Sequence, residues 1–400
     1  MNMLATKKNI PLPLILSFIG LFLVSTGVSM AAFTFLTKDS TLPTSGSKTN
    51  SGKVSRIDLS KPKTEVCPIN GAYFTKEEKA SWEKRRPILA MVENSIDARP
   101  QSGISKADVV YEAVAEGGIT RFMPVFYCDL ASEEVKVAPV RSARIYFVNM
   151  AMEYGDKPIF MHVGGGNNYS GSGDTAKEAR ALEYLETIGW RVPRGNDFDT
   201  TYDSAYPVFW RNYERLGREV ATEHTMMASL DAAYEQAAKR GFNYKDSDGN
   251  AWDENFVKWN FIDDKKVEPK YSEISFKFWD GKPDYDVTWK YDASSNKYLR
   301  FTGGVAHTDL ENKEQLYAKN VVIIFAKEKG PVDRNMHMLY TVTGEGKALV
   351  FQNGDVVEAT WQKDTGKDRL KLVNNKGAEI PLVRGHSWIE IVPAGNDINY

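Results

Sequence analysis

The chain has 400 residues, of which 42% are apolar and 26% charged, values that are typical of a globular protein with a substantial core. Its 51 basic and 53 acidic residues give a formal net charge of −2, so we expect no overall basic field and no nucleic-acid partner. A chain of this length has room for about two domains after any targeting segment.

Residues 1–37 have the pattern of a membrane-targeting segment. Lys7 and Lys8 precede a nearly uncharged run from Ile10 to Leu36, and about 20 apolar residues suffice for a helix that crosses a bilayer. Positive charge before such a run favours a cytoplasmic N-terminus, so we expect a transmembrane helix that anchors an otherwise extracytoplasmic chain in the cell membrane. A cleaved signal peptide is the alternative, because small residues occur near the end of the run, at Ser29–Ala31.

Three further regions follow the anchor. Residues 38–65 are rich in Ser, Thr, Gly, Lys and Pro, which is typical of a flexible tether. Strand-like and helix-like patterns alternate over residues 66–245, and this order predicts an α/β domain. Residues 255–400 contain many short strand candidates between tight turns, which predicts a mainly antiparallel β domain.

Local patterns place the elements of both domains. Thr75 and Glu78 have the spacing of a capping box, and Ser142 is a good N-cap for the helix that follows it. The predicted helices are Thr75–Lys84, Ala143–Tyr154, Thr175–Ile188 and His224–Arg240. The predicted strands of the first domain are Ile88–Val92, Val109–Val114, Phe122–Cys128, Val135–Val140 and Ile159–Val163. Those of the second are Ile274–Trp279, Asp286–Tyr291, Tyr298–Phe301, Asn320–Ala326, Met336–Val342, Gly346–Phe351, Asp355–Trp361, Leu370–Val373, Ile380–Val383 and Trp388–Val392.

The chain has two cysteines, Cys67 and Cys128. An extracytoplasmic location permits a disulfide between them, and the alternative is two separate thiols with Cys128 buried in a strand. Two cysteines at this separation are not a zinc signature.

Chemistry-bearing side chains concentrate between Pro87 and Gly166. A strand that ends before Arg141 and a helix that begins after Ser142 would direct free backbone N–H groups at an anion. Arg141 and Arg144 would add bidentate donors, so the pattern predicts a site for phosphate, pyrophosphate or carboxylate. The alternative is an internal ion network between these arginines and nearby acidic residues, namely Glu112, Glu116 and Asp129.

Two carboxylates are candidates for a catalytic role. Glu116 and Arg121 flank the pair Gly117-Gly118, and glycines allow a backbone to approach a ligand closely. Glu116, or else Asp108, could act as a general base or hold a divalent metal ion, the one cofactor that the pattern brings into consideration. The alternative for Glu116 is a hairpin turn with a surface ion pair.

Histidines offer further candidates. His162 precedes three glycines at the end of a strand and could shuttle a proton, although a lone buried histidine more often bonds to backbone. His224 could form a second wall of the cleft, or else the solvated start of a helix. His307 and Asp309 alternate on a strand without a third ligand, so no metal site is predicted. The spacings of dinucleotide-binding, P-loop, HExxH and GxSxG motifs do not occur.

Several segments carry a family resemblance. The first are VENSIDARPQSGISKADVVYEAVAEGGITRFMPVF, APVRSARIYFVNMA and HVGGG, and the later ones are HTDL, NVVIIF, GEGKALVFQNGDVVEATWQK and GHSWIEIVP. Together they resemble the YerB-like lipoprotein family, DUF3048, over about residues 88–393. The resemblance implies an exported, membrane-attached bacterial protein in two parts, and it implies no biochemical activity. Relatives are often lipoproteins, whereas no cysteine lies in or just after the apolar run here. Glu223-His224-Thr225 stands where relatives have a Pro-His-Asn segment.

Three functions are compatible with these patterns. The first is an envelope protein that binds an anionic cell-wall or lipid-linked ligand. Its candidate ligand-binding residues are Arg99, Glu112, Arg121, Arg141, Ser142, Arg144, His162 and His224. The second, by analogy of layout with LytR-CpsA-Psr enzymes, is a phosphotransferase acting on a lipid-linked pyrophosphate. Its candidate catalytic residues are Glu116, His162 and Asp108. The third is a scaffold that binds proteins through the β domain.

Overall fold

The computed structural model describes Pro13 and residues 56–265 and 268–400. The predicted anchor, apart from Pro13, and the predicted tether as far as residue 55 lie outside the described residues. Within the described ranges, no helix is long and apolar enough to cross a membrane. The described residues from Arg56 onward belong to one compact unit.

Between residues 56 and 400, as far as they are described, four α-helices lie within the four predicted helices, and each is shorter than predicted. They are α1 (Lys76–Trp82), α2 (Ile145–Ala151), α3 (Ala181–Thr187) and α4 (Leu230–Arg240). Thr75 caps α1 in a capping box with Glu78, as predicted. The prediction that Ser142 caps α2 is wrong. Arg144 holds that position without a side-chain cap, because the Ser142 hydroxyl donates to the Val163 carbonyl 3.1 Å away.

The described strands, in the order of the chain, range from two to ten residues in length. The first half contains β1 (Glu65–Val66), β2 (Tyr73–Phe74), β3 (Ile88–Ala90), β4 (Val92–Glu93), β5 (Val109–Glu116), β6 (Ile119–Phe126), β7 (Lys136–Val137), β8 (Ile159–Met161), β9 (Asp197–Phe198), β10 (Phe209–Arg211) and β11 (Met226–Ser229). The second half contains β12 (Phe261–Ile262), β13 (Glu273–Phe276), β14 (Val287–Asp292), β15 (Lys297–Thr302), β16 (Val305–Ala306), β17 (Tyr317–Ala318), β18 (Asn320–Lys329), β19 (Leu339–Thr341), β20 (Gly344–Gln352), β21 (Asp355–Lys363), β22 (Lys371–Val373), β23 (Leu382–Val383), β24 (Ser387–Pro393) and β25 (Ile398–Asn399).

A 12-stranded sheet runs through both halves of the chain, in the order β22-β21-β20-β18-β24-β5-β6-β3-β8-β9 with β19 and β4 at its side. Its centre is a parallel pair, in which Ser387 of β24 lies opposite Val109 of β5. Both strands are buried almost throughout, which is typical of central strands covered on both faces. The first half is therefore less helical than an α/β domain predicts, and the molecule is mainly β, because its helices cover only seven to eleven residues each.

A six-stranded sheet of the second half, β16-β15-β14-β13-β25 with β17 beside β15, packs against this large sheet. Trp289 of β14 contacts Trp388 of β24, and Phe122 of β6 contacts Trp388 from the other side, each with ring centroids 5.3 Å apart. All three rings are buried, and complete burial of one such side chain stabilises a fold by about 1.5–3 kcal/mol.

The two cysteines are joined. Cys67 and Cys128 form a disulfide with an S–S distance of 2.08 Å, which selects one of the two alternatives left open by the sequence. Asp108 lies beside the bridge and accepts hydrogen bonds from the Asn70 amide at 2.6 Å and from the backbone N–H of Tyr127 and Cys128 at 2.7 and 2.9 Å. Burial raises the pKa of Asp108 to about 7. These bonds occupy its carboxylate in holding the turn around the disulfide.

Candidate anion-binding site

The β5–β6 hairpin carries the centre of the site. Gly117 and Gly118 form its turn with φ of +56° and +86°, a region that glycine adopts without strain. Glu116 ends β5 and Arg121 lies in β6, and one terminal nitrogen of Arg121 donates to the Glu116 carboxylate. The other donates to the Ser142 carbonyl at 2.7 Å, and the side chain is only 2% exposed. The hairpin thereby holds the segment that leads into α2.

Arg144 completes the pairing of Glu116. It donates to the second oxygen of Glu116 at 2.6 Å and to the Ala143 carbonyl at 2.8 Å. Burial alone would raise the pKa of Glu116, but the charges of Arg121, Arg144 and Arg141 outweigh burial and lower it to about 2. Glu116 is therefore an ionised carboxylate between two guanidinium groups, and it does not fit the general-base role that the sequence suggested.

Arg141 is the more open arginine. Its Nε lies 3.4 Å from Glu93, and a terminal nitrogen lies 3.5 Å from the Glu223 carbonyl. The other oxygen of Glu93 lies 2.8 Å from Nδ1 of His224. The Arg141 side chain is 24% exposed, yet its buried Nε makes no hydrogen bond. The partly exposed guanidinium of Arg141 thus lies at the edge of the cluster.

The internal ion network that the sequence left open is present in part. Glu116 takes part in it, whereas Glu112 and Asp129 form ion pairs with other residues. Glu93, which was not proposed from the sequence, pairs with Arg141. In direct ionic contact, three guanidinium groups meet two carboxylates, which leaves one positive charge unneutralised.

His162 contacts the loop at Gly164 through one ring nitrogen and Asp197 through the other. Its Nδ1 lies 2.7 Å from the Gly164 carbonyl, which also accepts from the Ala143 N–H at 3.0 Å, and its Nε2 lies 2.5 Å from Asp197. The ring is fully buried. Burial lowers its pKa, but the Asp197 charge outweighs burial, so the pKa is raised. His162 therefore positions the loop beside Arg141 and does not face the site.

The donor groups next to this loop do not favour metal binding. His162, Asp197 and Asp199 bring ligand atoms within 4.8 Å of one another. The guanidinium of Arg191 already donates to both aspartates, at 2.6 and 2.7 Å. Because a bound cation would have to displace that guanidinium, the donor set does not fit a metal ion.

Two predicted ligand-binding residues lie in a separate network. Arg99 donates to the Asn94 amide oxygen at 3.0 Å and lies over the Tyr285 ring, 5.0 Å from its centroid. Glu112 accepts from Arg300 at 2.5 Å, and Arg300 also donates to Glu390 at 2.8 Å.

All three members of this second ion group are fully buried. Burial first and then the Glu112 charge raise the pKa of Glu390 well above its usual range. This network links the two halves of the chain, because Glu112 in β5 lies opposite Glu390 in β24.

Asp333 and His337 adjoin the site, and we missed both in the sequence. Glu116 and His337 form an isolated antiparallel bridge, supported by backbone hydrogen bonds from Gly117 to Met336 at 3.3 Å and from Met338 to Ala115 at 3.2 Å. The Asp-x-x-x-His spacing of this loop was the one signal available.

Comparisons with known proteins identify the family. Residues 74–243 match the model described as protein of unknown function (DUF3048) N-terminal domain, and residues 274–389 match that of its C-terminal domain. The chain is 31% identical over 328 residues to "Putative lipoprotein YerB" of Bacillus subtilis (strain 168), covering 82% of this chain and 86% of that protein. The crystal structure of YerB from Bacillus subtilis is similar with a TM-score of 0.65 and 27% identity, over 84% of this chain and 100% of that one. The chain belongs to the DUF3048 family, as its sequence motifs predict.

Proposed function

We propose that the chain is a membrane-attached protein of the bacterial cell envelope that binds a phosphate-bearing ligand at Arg141, Ser142 and Arg144. The envelope location is supported by the name of the Bacillus relative, a lipoprotein, by the apolar run of residues 10–36 and by the disulfide. The ligand would be part of the cell wall or of a lipid-linked precursor.

The half-open guanidinium of Arg141 carries this proposal. Its buried Nε lacks a hydrogen bond, and in direct ionic contact Arg121, Arg141 and Arg144 meet only two carboxylates, Glu116 and Glu93. Phosphate oxygens accept two parallel bonds from an arginine and would neutralise the remaining charge. The loop at Gly164 lies beside Ser142, and a Cβ added at Gly164 would be 3.6 Å from the Ser142 hydroxyl oxygen.

Titration calorimetry of the purified full-length chain with inorganic pyrophosphate tests the proposal. We expect the affinity to fall at least tenfold in Arg141→Ala, since a hydrogen bond to a charged group contributes about 1.5–3 kcal/mol. Arg334→Ala is the matched control, because that side chain is 86% exposed. Equal affinities in the wild type and Arg141→Ala would refute the site.

A phosphotransferase would need a proton acceptor other than those predicted. Asp108, His162 and Glu116 each use their polar atoms in contacts within the protein.

A further inference from the structure

We infer that His337, held by Asp333, is the proton acceptor of a phosphoryl-transfer or hydrolysis reaction at the arginine cluster. The inference rests on the proposed anion site and adds an activity to it. Neither residue belongs to the segments from which we predicted the site.

The two side chains form a rigid pair. Nδ1 of His337 lies 2.8 Å from Oδ2 of Asp333, which also accepts the Ala176 N–H at 3.0 Å. Oδ1 of the same carboxylate accepts the backbone N–H of Asn335 at 3.0 Å and of His337 at 3.3 Å. A carboxylate so fixed keeps the proton on Nδ1 and leaves the lone pair on Nε2.

Nε2 of His337 is unpaired within the described part of the chain, in a side chain that is 8% exposed. It has no hydrogen-bond partner among residues 56–265 and 268–400, and it is not one of the buried unpaired atoms of those residues. Histidine acts as a general base in this state, with a carboxylate on one nitrogen and an open lone pair on the other.

The bridge between Glu116 and His337 places this ring at the arginine cluster. Residues directly opposite each other in an antiparallel pair project their side chains from the same face. Because the Glu116 carboxylate bonds to Arg121 and Arg144, the imidazole shares a face with both guanidinium groups.

The charges around His337 favour its neutral form. Burial and the Arg144 charge lower its pKa, and these effects outweigh the Asp333 and Glu116 charges, which raise it. The imidazole is therefore unprotonated near pH 7 and able to accept a proton.

The reaction that this arrangement allows moves one phosphoryl group and one proton. A hydroxyl group, from water or an acceptor alcohol, attacks the phosphorus of a bound phosphate ester, and Nε2 takes the hydroxyl proton as the new P–O bond forms. The P–O bond to the leaving group breaks, and the imidazolium returns its proton to the departing oxygen. The guanidinium groups neutralise the charge on the other phosphate oxygens, which is the main requirement of phosphoryl transfer.

The test uses the full-length chain with bis(4-nitrophenyl) phosphate, 4-nitrophenyl phosphate and inorganic pyrophosphate. We expect hydrolysis of at least one of them. We expect His337→Gln to lower kcat by about 10²- to 10⁴-fold, the usual contribution of a general base, while the pyrophosphate affinity changes less than about threefold. Arg334→Ala in the same loop, where the side chain is 86% exposed, should keep the wild-type rate.

Carbethoxylation by diethyl pyrocarbonate, followed by mass spectrometry, provides a readout that needs no variant. We expect His337 to be carbethoxylated and to be protected by pyrophosphate. A chain that binds pyrophosphate but hydrolyses none of the probes, or in which His337→Gln is fully active, overturns the catalytic role and leaves the anion site intact. A chain that does not bind pyrophosphate refutes the anion site and the catalytic role with it.

Discussion

Glu116 and His337 lie opposite each other in one antiparallel bridge, although each belongs to a different one of the two matched family segments. The candidate site therefore needs both halves of the chain, since the arginines come from the first half and the Asp333–His337 pair from the second. The parallel pairing of β5 with β24 brings the halves together in one sheet. Functional tests accordingly require the whole chain.

Glu116→Gln should destabilise the fold. The substitution removes the carboxylate shared by Arg121 and Arg144, whose side chains are 2% and 6% exposed. Loss of one partner from a buried ion group costs about 3–5 kcal/mol, and we expect a decrease of this size in the free energy of unfolding by urea at pH 7. Glu254→Gln, at an exposed position, should change it by less than about 0.5 kcal/mol. A decrease below 1 kcal/mol in Glu116→Gln would contradict the pairing.

Acid should remove the contribution of Glu116. Its pKa of about 2 in the folded chain lies below its ordinary value of 4.5, so the ionised form stabilises the fold above pH 5. This stabilisation is lost as the pH falls towards 2. The difference in unfolding free energy between the wild type and Glu116→Gln should therefore shrink between pH 5 and pH 2. A constant difference would show that protonation of Glu116 is not linked to folding.

The sequence predicted those parts of the fold that local patterns determine. The capping box at Thr75 depends on residues three positions apart, and the buried strands β5 and β6 on continuous apolar runs. The Ser142 cap failed because the hydroxyl of Ser142 has a partner, Val163, that lies far along the chain.

The candidate site was only partly predictable for the same reason. Arg121, Arg141 and Arg144 occur in a short stretch beside glycines, and this density of donors was visible. Glu116 was among the carboxylate partners that the sequence suggested. Glu93 and the Asp333–His337 pair depend on strand register between distant segments, which side-chain periodicity does not reveal.

Arg300→Met should remove an ionic contact between the two halves of the chain and lower the free energy of unfolding. Arg300 is fully buried between Glu112 and Glu390, and its loss leaves the Glu112 carboxylate without its ionic partner. We expect a loss of about 3–5 kcal/mol in the free energy of unfolding. Adding Glu112→Gln to the variant should restore part of this loss, because the unpaired carboxylate is then absent. Arg334→Met, at the surface, is the control and should be close to neutral. A double variant less stable than Arg300→Met would argue against a direct ion pair.

Reduction of the disulfide should weaken the fold. The bridge between Cys67 and Cys128 closes a separation of 61 residues, and a disulfide contributes about 2–4 kcal/mol in such loops. We expect the paired variant Cys67→Ser, Cys128→Ser to unfold at lower temperature than the wild type in calorimetry. Titration of the unfolded, unreduced wild type with a thiol reagent should detect no free thiol. Two reactive thiols under these conditions would contradict the bridge.

The arginine cluster is tested most directly by a crystal structure of the full-length chain grown with inorganic pyrophosphate. We expect an anion within hydrogen-bond distance of the Arg141 guanidinium, on the face shared by Arg144 and His337. Electron density that shows Arg141 bound to Glu93 alone, with pyrophosphate absent or held on another surface, would contradict it.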